Sequence, residues 1–224
     1  MLAFEPPPYN TPMPLADERR EYCQPPLDES AVHADPIAQF RRWLDDALAA
    51  EFKDATAMTL ATADERGRPS ARVVLLKGVD EHGFVFYTDY QSRKGLELAA
   101  NPAAALLFYW SPFDRQVRIE GRVNRISRER SAAYFQARPR TSQLAAAASE
   151  QSRILPDRAA LERQYAALEA RCKDQPVPLP DRWGGYVLVP TLIEFWQGRP
   201  HRLHDRLRYC RQPDNTWQID RLAP

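Results

Sequence analysis

Asp35-Pro36 opens a run in which Phe40, Trp43, Leu44 and Leu48 recur at helical spacing, which predicts an amphipathic helix with that stripe in the core. The beat then shortens. Strand-like runs cover Ala57 to Ala63, Ala71 to Lys77 and Gly83 to Thr88, separated by the turn sequences Asp64-Glu65-Arg66-Gly67 and Asp80-Glu81-His82-Gly83, so an antiparallel meander is expected. Ser92 to Ala100 reads as a short helix closed by Asn101-Pro102, followed by strands at Ala104 to Trp110 and Gln116 to Arg125. Two further helices are predicted. One covers Ser127 to Ala137; the other runs from Asp157 to about Cys172, with Leu161, Tyr165 and Leu168 on one face and a Pro-rich connector up to Pro180 behind it. Final strands fall at Gly185 to Val189, Leu192 to Gln197, Leu203 to Arg211 and Trp217 to Leu222. Antiparallel strands with helices inserted between them suggest a mainly β fold, a small barrel with peripheral helices.

Composition narrows the picture. At 224 residues the chain suits one domain over residues 35–224, while residues 1–34 carry Pro6-Pro7-Pro8 and Pro25-Pro26 and are expected to be flexible and outside the core. A charged island, Glu18-Arg19-Arg20-Glu21-Tyr22, interrupts that segment. The net charge of +1 gives no electrostatic reason to expect nucleic acid or an anionic membrane. Basic residues must therefore act locally, and only four of the 31 are lysines: Lys53, Lys77, Lys94 and Lys173. Cys23, Cys172 and Cys210 lack metal-ligand spacing, so no metal site is expected; an odd count without a leader or an apolar span points to a reduced, cytoplasmic protein.

Four groups of residues could carry chemistry. Arg93 and Lys94 follow Ser92, a plausible N-cap, and two cations at the positive end of a helix dipole form either a solvated basic turn or an anion site. Arg72 and Lys77 bracket the apolar run Val73-Val74-Leu75-Leu76, five residues apart and so on opposite faces of a regular strand. Tyr134, Arg138 and Ser142 step by four, sharing a face if the helix continues past Pro139 or lining its end if it does not; they form either a small anion site or a surface Tyr stacked on an Arg. If the chain after Gly198-Arg199-Pro200 is extended, Arg202, His204 and Arg206 share one strand face, a row that an anion would hold together. Taken alone, Trp196 reads more readily as a core position than as a ligand wall.

The run Phe195-Trp196-Gln197-Gly198, then Arg202-Leu203-His204-Asp205-Arg206, and the terminus Arg221-Leu222-Ala223-Pro224 resemble the C-terminal signature of the pyridoxine (pyridoxamine) 5′-phosphate oxidase family. The similarity extends over roughly residues 17 to 224, through Arg72 to Lys77, Phe86-Tyr87-Thr88, Ser92-Arg93-Lys94, Arg115-Gln116-Val117, Tyr134-Phe135, Arg138-Pro139-Arg140 and Trp183-Gly184-Gly185. It implies an FMN-binding split β-barrel and a homodimer with FMN at its interface. It also implies oxidation of pyridoxine 5′-phosphate or pyridoxamine 5′-phosphate to pyridoxal 5′-phosphate, with hydride passing from C4′ to flavin N5 and O2 reduced to H2O2. By resemblance FMN contacts fall to Arg72, Val73, Val74, Leu75, Leu76, Lys77, Tyr87, Thr88, Arg93, Lys94, Gln116, Gln151, Ser152, Trp196 and Arg206. The substrate would meet Arg19, Tyr22, Lys77, Tyr134, Arg138, Ser142, Arg202 and His204, the last two at the reacting carbon, with Arg19 and Tyr22 closing over the site.

Two alternatives stay open: a flavin reductase-like split-barrel protein, which has no use for a second phosphate site, and a non-enzymatic vitamin B6 phosphate carrier, which has no use for a flavin. The chain also departs from the family pattern. Gln143-Leu144-Ala145-Ala146-Ala147-Ala148 stands where relatives carry Gly and Trp, and its alanines predict a helical turn leading into Gln151 and Ser152.

Overall fold

The computed structural model describes residues 21–173 and 175–224. Within these residues nine strands form one curled sheet, flanked by five α-helices. Helix α1 (Pro36–Ala49) starts where expected, because the Asp35 carboxylate accepts hydrogen bonds from the Ile37 and Ala38 amides and Pro36 occupies the first turn. Phe40, Trp43 and Leu44 are buried, whereas Leu48 is 51% exposed, so the core stripe ends one turn early.

Strands β1 (Ala57–Ala63) and β2 (Pro69–Leu75) pair antiparallel in register Ala57 to Leu75 and Ala63 to Pro69. Strand β2 thus starts and ends two residues before its predicted span, and Lys77 lies beyond its end. Short β3 (Gly78–Asp80) was not predicted; it pairs with β4 (Gly83–Asp89) across the Asp80 to Gly83 turn. The expected meander is corrected here. The spatial order is β2-β1-β5-β6-β7-β4-β3, so β4 keeps only the short β3 beside it and pairs on its other edge with the distant β7 rather than with β2. Local alternation specifies strands but not which non-local partner they take.

Helix α2 (Arg93–Ala100) has the Ser92 cap. Strands β5 (Ala103–Trp110) and β6 (Arg115–Arg125) follow, then helices α3 (Arg128–Ala137), α4 (Arg140–Ala148) and α5 (Arg158–Arg171). The two strands predicted on either side of Pro190 are one, β7 (Trp183–Gln197). A register shift between Glu120 and Gly121 of β6 lies opposite Pro190, where a residue without an amide can sit in a strand. Strand β7 pairs along one edge with β6, and along the other first with β4 and then with β8 (Asp205–Arg211). Strand β9 (Trp217–Arg221) closes the hairpin.

The main core lies inside the curl of the sheet under α1; a smaller apolar cluster of Phe135, Leu144, Leu168, Cys172, Val177 and Trp183 binds α3, α4 and α5 to it. Residues 21–34, expected outside the core, contribute Leu27 to it. The Leu27 amide donates to Asp205 at 3.1 Å and Arg221 pairs with Glu29, so the C-terminal hairpin holds this segment. No helix of the described residues is long and apolar enough to cross a membrane.

Candidate functional site

A groove of about 690 Å3 opens between β2, β4 and the α3–α5 cluster. Strand β2 presents alternate faces to it. Ser70, Arg72 and Val74 turn inward, while Val73 and Leu75 are 67% and 42% exposed on what is an edge strand of the sheet. Arg72, Val73, Val74, Leu75 and Lys77 all line the groove, whereas Leu76 is buried in the core. Arg72 and Lys77 share the groove because Lys77 lies past the end of the regular strand, which releases it from the alternation.

Lys94 is the electrostatic centre of this wall. Ser92 caps α2, and Gly95 lets the first turn press against β4: a Cβ there would lie 2.3 Å from the Tyr90 carbonyl oxygen. The Lys94 side chain is consequently buried, and its ammonium donates to Gln151 Oε1 at 2.8 Å and to Thr88 Oγ1 at 3.3 Å. Among the described residues no carboxylate lies within ion-pair distance of it. Burial, reinforced by Arg72, pushes its pKa below the usual lysine value. Ser152, at φ 72°, brings its hydroxyl to the Arg93 amide at 3.2 Å. The alanine run is helical as expected, and Arg182, paired with Asp89 at 2.8 Å, donates to the Ala147 and Ser149 carbonyls and fixes the approach to Gln151.

The opposite wall is aromatic. Tyr87 stacks on Tyr134 with ring centroids 3.9 Å apart and on Trp183 at 5.4 Å. Arg138 lies over Trp183 at 5.1 Å, and its buried Nη1 has no hydrogen-bond partner among the described residues. Burial depresses its pKa and raises those of Tyr87 and Tyr134. Helix α3 ends at Ala137, with Arg138 extended before Pro139, so Tyr134 and Arg138 reach the groove while Ser142, on the next helix, does not line it. Trp183, Asp89, Leu161 and Tyr165 line it without having been singled out as ligands. Trp183-Gly184-Gly185 carried a usable signal, since glycines beside an aromatic mark close packing, here of Gly185 against Tyr87.

Gln116, Trp196 and Arg206 line a second, separate cleft of about 220 Å3 with Arg118, Glu194 and Pro224. Its charges are matched: Arg206 donates to Glu194 at 2.8 Å, which raises the pKa of Arg206, and Arg118 meets the other Glu194 oxygen at 3.2 Å.

The expected cationic strand face is corrected. Pro200–Arg202 form a 3-10 turn in which His201 and Arg202 have φ of 58° and 61°, and the strand begins only at Asp205. Arg202 and Leu203 are exposed on this turn. His204 is fixed differently: its Nδ1 accepts the Arg199 amide at 3.1 Å, so the neutral ring carries its proton on Nε2. Burial, with Arg202 nearby, holds its pKa below the usual histidine value. Tyr22 packs edge-on against His204 and Trp196 at 5.2 and 5.8 Å, over Gly198, where a Cβ would meet the Tyr22 ring at 2.6 Å. Arg19 lies outside the described residues.

Residues 44–172 match the family described as pyridoxamine 5′-phosphate oxidase, and residues 183–224 match the pyridoxine 5′-phosphate oxidase C-terminal dimerisation region. A pyridoxine/pyridoxamine 5′-phosphate oxidase of Cupriavidus pinatubonensis is 55% identical over 210 residues, covering 94% of this chain and 99% of that protein. One from Burkholderia lata is 57% identical over 212 residues, with coverage of 94% and 99%. Among solved structures, PhzG from Burkholderia lata 383 in complex with tetrahydrophenazine-1-carboxylic acid has a TM-score of 0.84 at 34% identity, covering 90% of this chain and 99% of that one. A pyridoxamine 5′-phosphate oxidase-related, FMN binding protein of Nostoc punctiforme has a TM-score of 0.67 at 20% identity, with coverage of 83% and 97%, and shows the fold alone, the split barrel expected from the sequence. On these matches the chain belongs to the pyridoxine/pyridoxamine 5′-phosphate oxidase family.

Proposed function

We propose that this protein oxidises pyridoxine 5′-phosphate or pyridoxamine 5′-phosphate to pyridoxal 5′-phosphate with FMN as cofactor. The observation that carries this is one groove lined by two cations, buried Lys94 and half-buried Arg138, neither of which has a carboxylate partner among the described residues. Uncompensated charge drawn out of water is costly, and two such cations in one groove suit two phosphorylated ligands. Lys94, the Arg93 amide region and Gln151 fit the FMN phosphate, at a helix N-terminus favourable to anions. Arg138 and Tyr134 fit the substrate phosphate, with Lys77 beside them; the departure of Ser142 leaves that end to two side chains and the lysine.

FMN, when bound, would supply the redox chemistry, hydride acceptance at N5 from the substrate C4′ and reoxidation by O2 to H2O2. The chain supplies position and charge. Arg202 orients the substrate and stabilises charge near the reacting carbon, and neutral His204 offers Nε2–H as a fixed donor. Tyr22 covers both. Exposed Val73 and Leu75 and the separation of Gln116, Trp196 and Arg206 from the main groove support a homodimer in which one chain's second cleft completes its partner's groove. The C-terminal match to a dimerisation region supports the same arrangement.

The likeness to PhzG keeps oxidation of a reduced polycyclic acid in view, and Arg138 separates the readings, since such a substrate carries no phosphate. Oxygen uptake and pyridoxal 5′-phosphate formation should appear with both phosphorylated substrates and fall sharply with unphosphorylated pyridoxine. Turnover indifferent to the phosphate, or a colourless protein that binds no flavin, would overturn the reading. So would a monomer that retains FMN in gel filtration, as regards the shared site.

A further inference from the structure

Glu97 lies one turn after Arg93 on α2 and faces β1 and β2. Its side chain is 7% exposed, yet it is a hub. Oε2 accepts from Thr62 Oγ1 at 2.5 Å, Ser70 Oγ at 2.6 Å and Arg72 Nη2 at 3.2 Å, while Oε1 accepts from Arg93 Nε at 2.9 Å. Arg72 is further tied by Nη1 to the Leu60 carbonyl at 3.0 Å and to Thr62 Oγ1 at 2.6 Å. One buried carboxylate therefore holds two arginines from different elements, leaving the terminal nitrogens of Arg93 without a protein hydrogen bond among the described residues.

We propose that Glu97 is a positioning residue for the phosphate of the flavin cofactor, locking Arg72 as the wall of the groove and turning Arg93 toward the anion at the start of α2. The inference rests on the reading of that helix start as the FMN phosphate site. A carboxylate beside a phosphate is electrostatically adverse, so its presence there is explained by geometry rather than by charge. The hydrogen bonds from Ser70, Thr62 and Arg93 and the Arg72 charge outweigh burial and hold its pKa at about 2, so it is ionised wherever the enzyme works.

The two accounts differ in sign. Loss of a repulsive charge alone would tighten FMN binding, whereas loss of a positioning group weakens it. In flavin-fluorescence titrations of the apoprotein, Glu97→Gln should raise the FMN Kd roughly tenfold, the scale of one charge-assisted hydrogen bond. Riboflavin, which lacks the phosphate, should bind as to the native chain, a selectivity that a purely structural role would not move. Glu97→Asp keeps the charge but shortens its reach and should also weaken FMN; it decides the matter if Glu97→Gln does not fold. Unchanged or tighter FMN binding by a folded variant, or equal losses for FMN and riboflavin, would overturn the role of Glu97. Failure of the native apoprotein to bind FMN would instead remove the cofactor reading beneath it.

Discussion

The main groove and the C-terminal cleft are built from the same residue types and balance charge in opposite ways. In the groove buried Lys94 and half-buried Arg138 have no carboxylate partner among the described residues. In the C-terminal region Glu194 lies between Arg206 and Arg118, and Asp205 between Arg199 and Arg221. Each of these arginines has a carboxylate partner within the chain. A region with uncompensated cations gains stability when an anion arrives, whereas a neutralised one is already rigid and acts by holding shape. On the proposed function, binding and orientation fall to two parts of the fold, and substitutions in each should fail differently.

The largest difference should appear at Lys94. Lys94→Met keeps the length and removes a desolvated charge, so the apoprotein should melt no lower than the native chain, while FMN affinity falls by roughly 10- to 100-fold, the worth of charge-assisted hydrogen bonds in a buried site. Apoprotein melting and flavin titration check both arms. A less stable apoprotein with native FMN affinity would break the comparison, because Lys94 would then be structural. Arg206→Ala should do the converse to stability: it leaves buried Glu194 with Arg118 alone, so melting temperature falls along with FMN retention.

Arg138→Ala should come next. It removes a guanidinium whose Nη1 has no protein partner, so FMN binding should hold while KM for the phosphorylated substrates rises by about tenfold or more and the preference over unphosphorylated pyridoxine shrinks. Steady-state kinetics with both substrates test this. Equal losses for both would move Arg138 out of phosphate recognition.

The contrast also explains what could be read from the sequence. Helix starts at Asp35, Ser92, Ser127 and Asp157 were legible because a capping side chain is a local event. The resemblance supplied the roles proposed for Lys94 and Arg138, but the burial of Lys94 depends on Gly95 meeting the end of β4, a contact no linear pattern carries. The C-terminal turn was misread for a physical reason. Alternation after Pro200 suggested a strand, while His201 and Arg202 adopt left-handed backbone that non-glycine residues rarely take, so propensity pointed the wrong way. The single β7 was hidden by Pro190, whose missing amide is tolerated at the bulge opposite Gly121.

That strained turn sets the next expectation. Arg202 is exposed and contributes to no core contact, so Arg202→Ala should leave stability and FMN content intact while lowering kcat and raising KM. Loss of FMN with native substrate affinity would reverse its assignment with that of Arg206. Because burial and Arg202 depress the His204 pKa, the neutral ring should persist to lower pH than in a free histidine, and any acid limb of kcat/KM due to it should lie below 6.5. In Arg202→Ala that limb should shift upward, since a repelling cation is gone.

The smallest effect should come from Tyr22, which belongs to neither charge scheme. Its ring meets Trp196 and His204 edge-on, and each such aromatic pair is worth about 0.5–1.5 kcal/mol beyond area burial. Tyr22→Ala should therefore raise substrate KM by roughly 2- to 10-fold, with kcat, FMN affinity and melting temperature close to native. Tyr22→Phe keeps the ring and should recover most of the loss. The segment itself should stay in place in both variants, because Leu27, Glu29 and the Arg199 contact to the Gln24 carbonyl hold it independently of the ring. Limited proteolysis of the variants in the presence and absence of substrate separates the two elements. A Tyr22→Ala chain cut readily before Leu27 would mean that the ring holds the segment, whereas uncut protein with raised KM would assign it to covering the site.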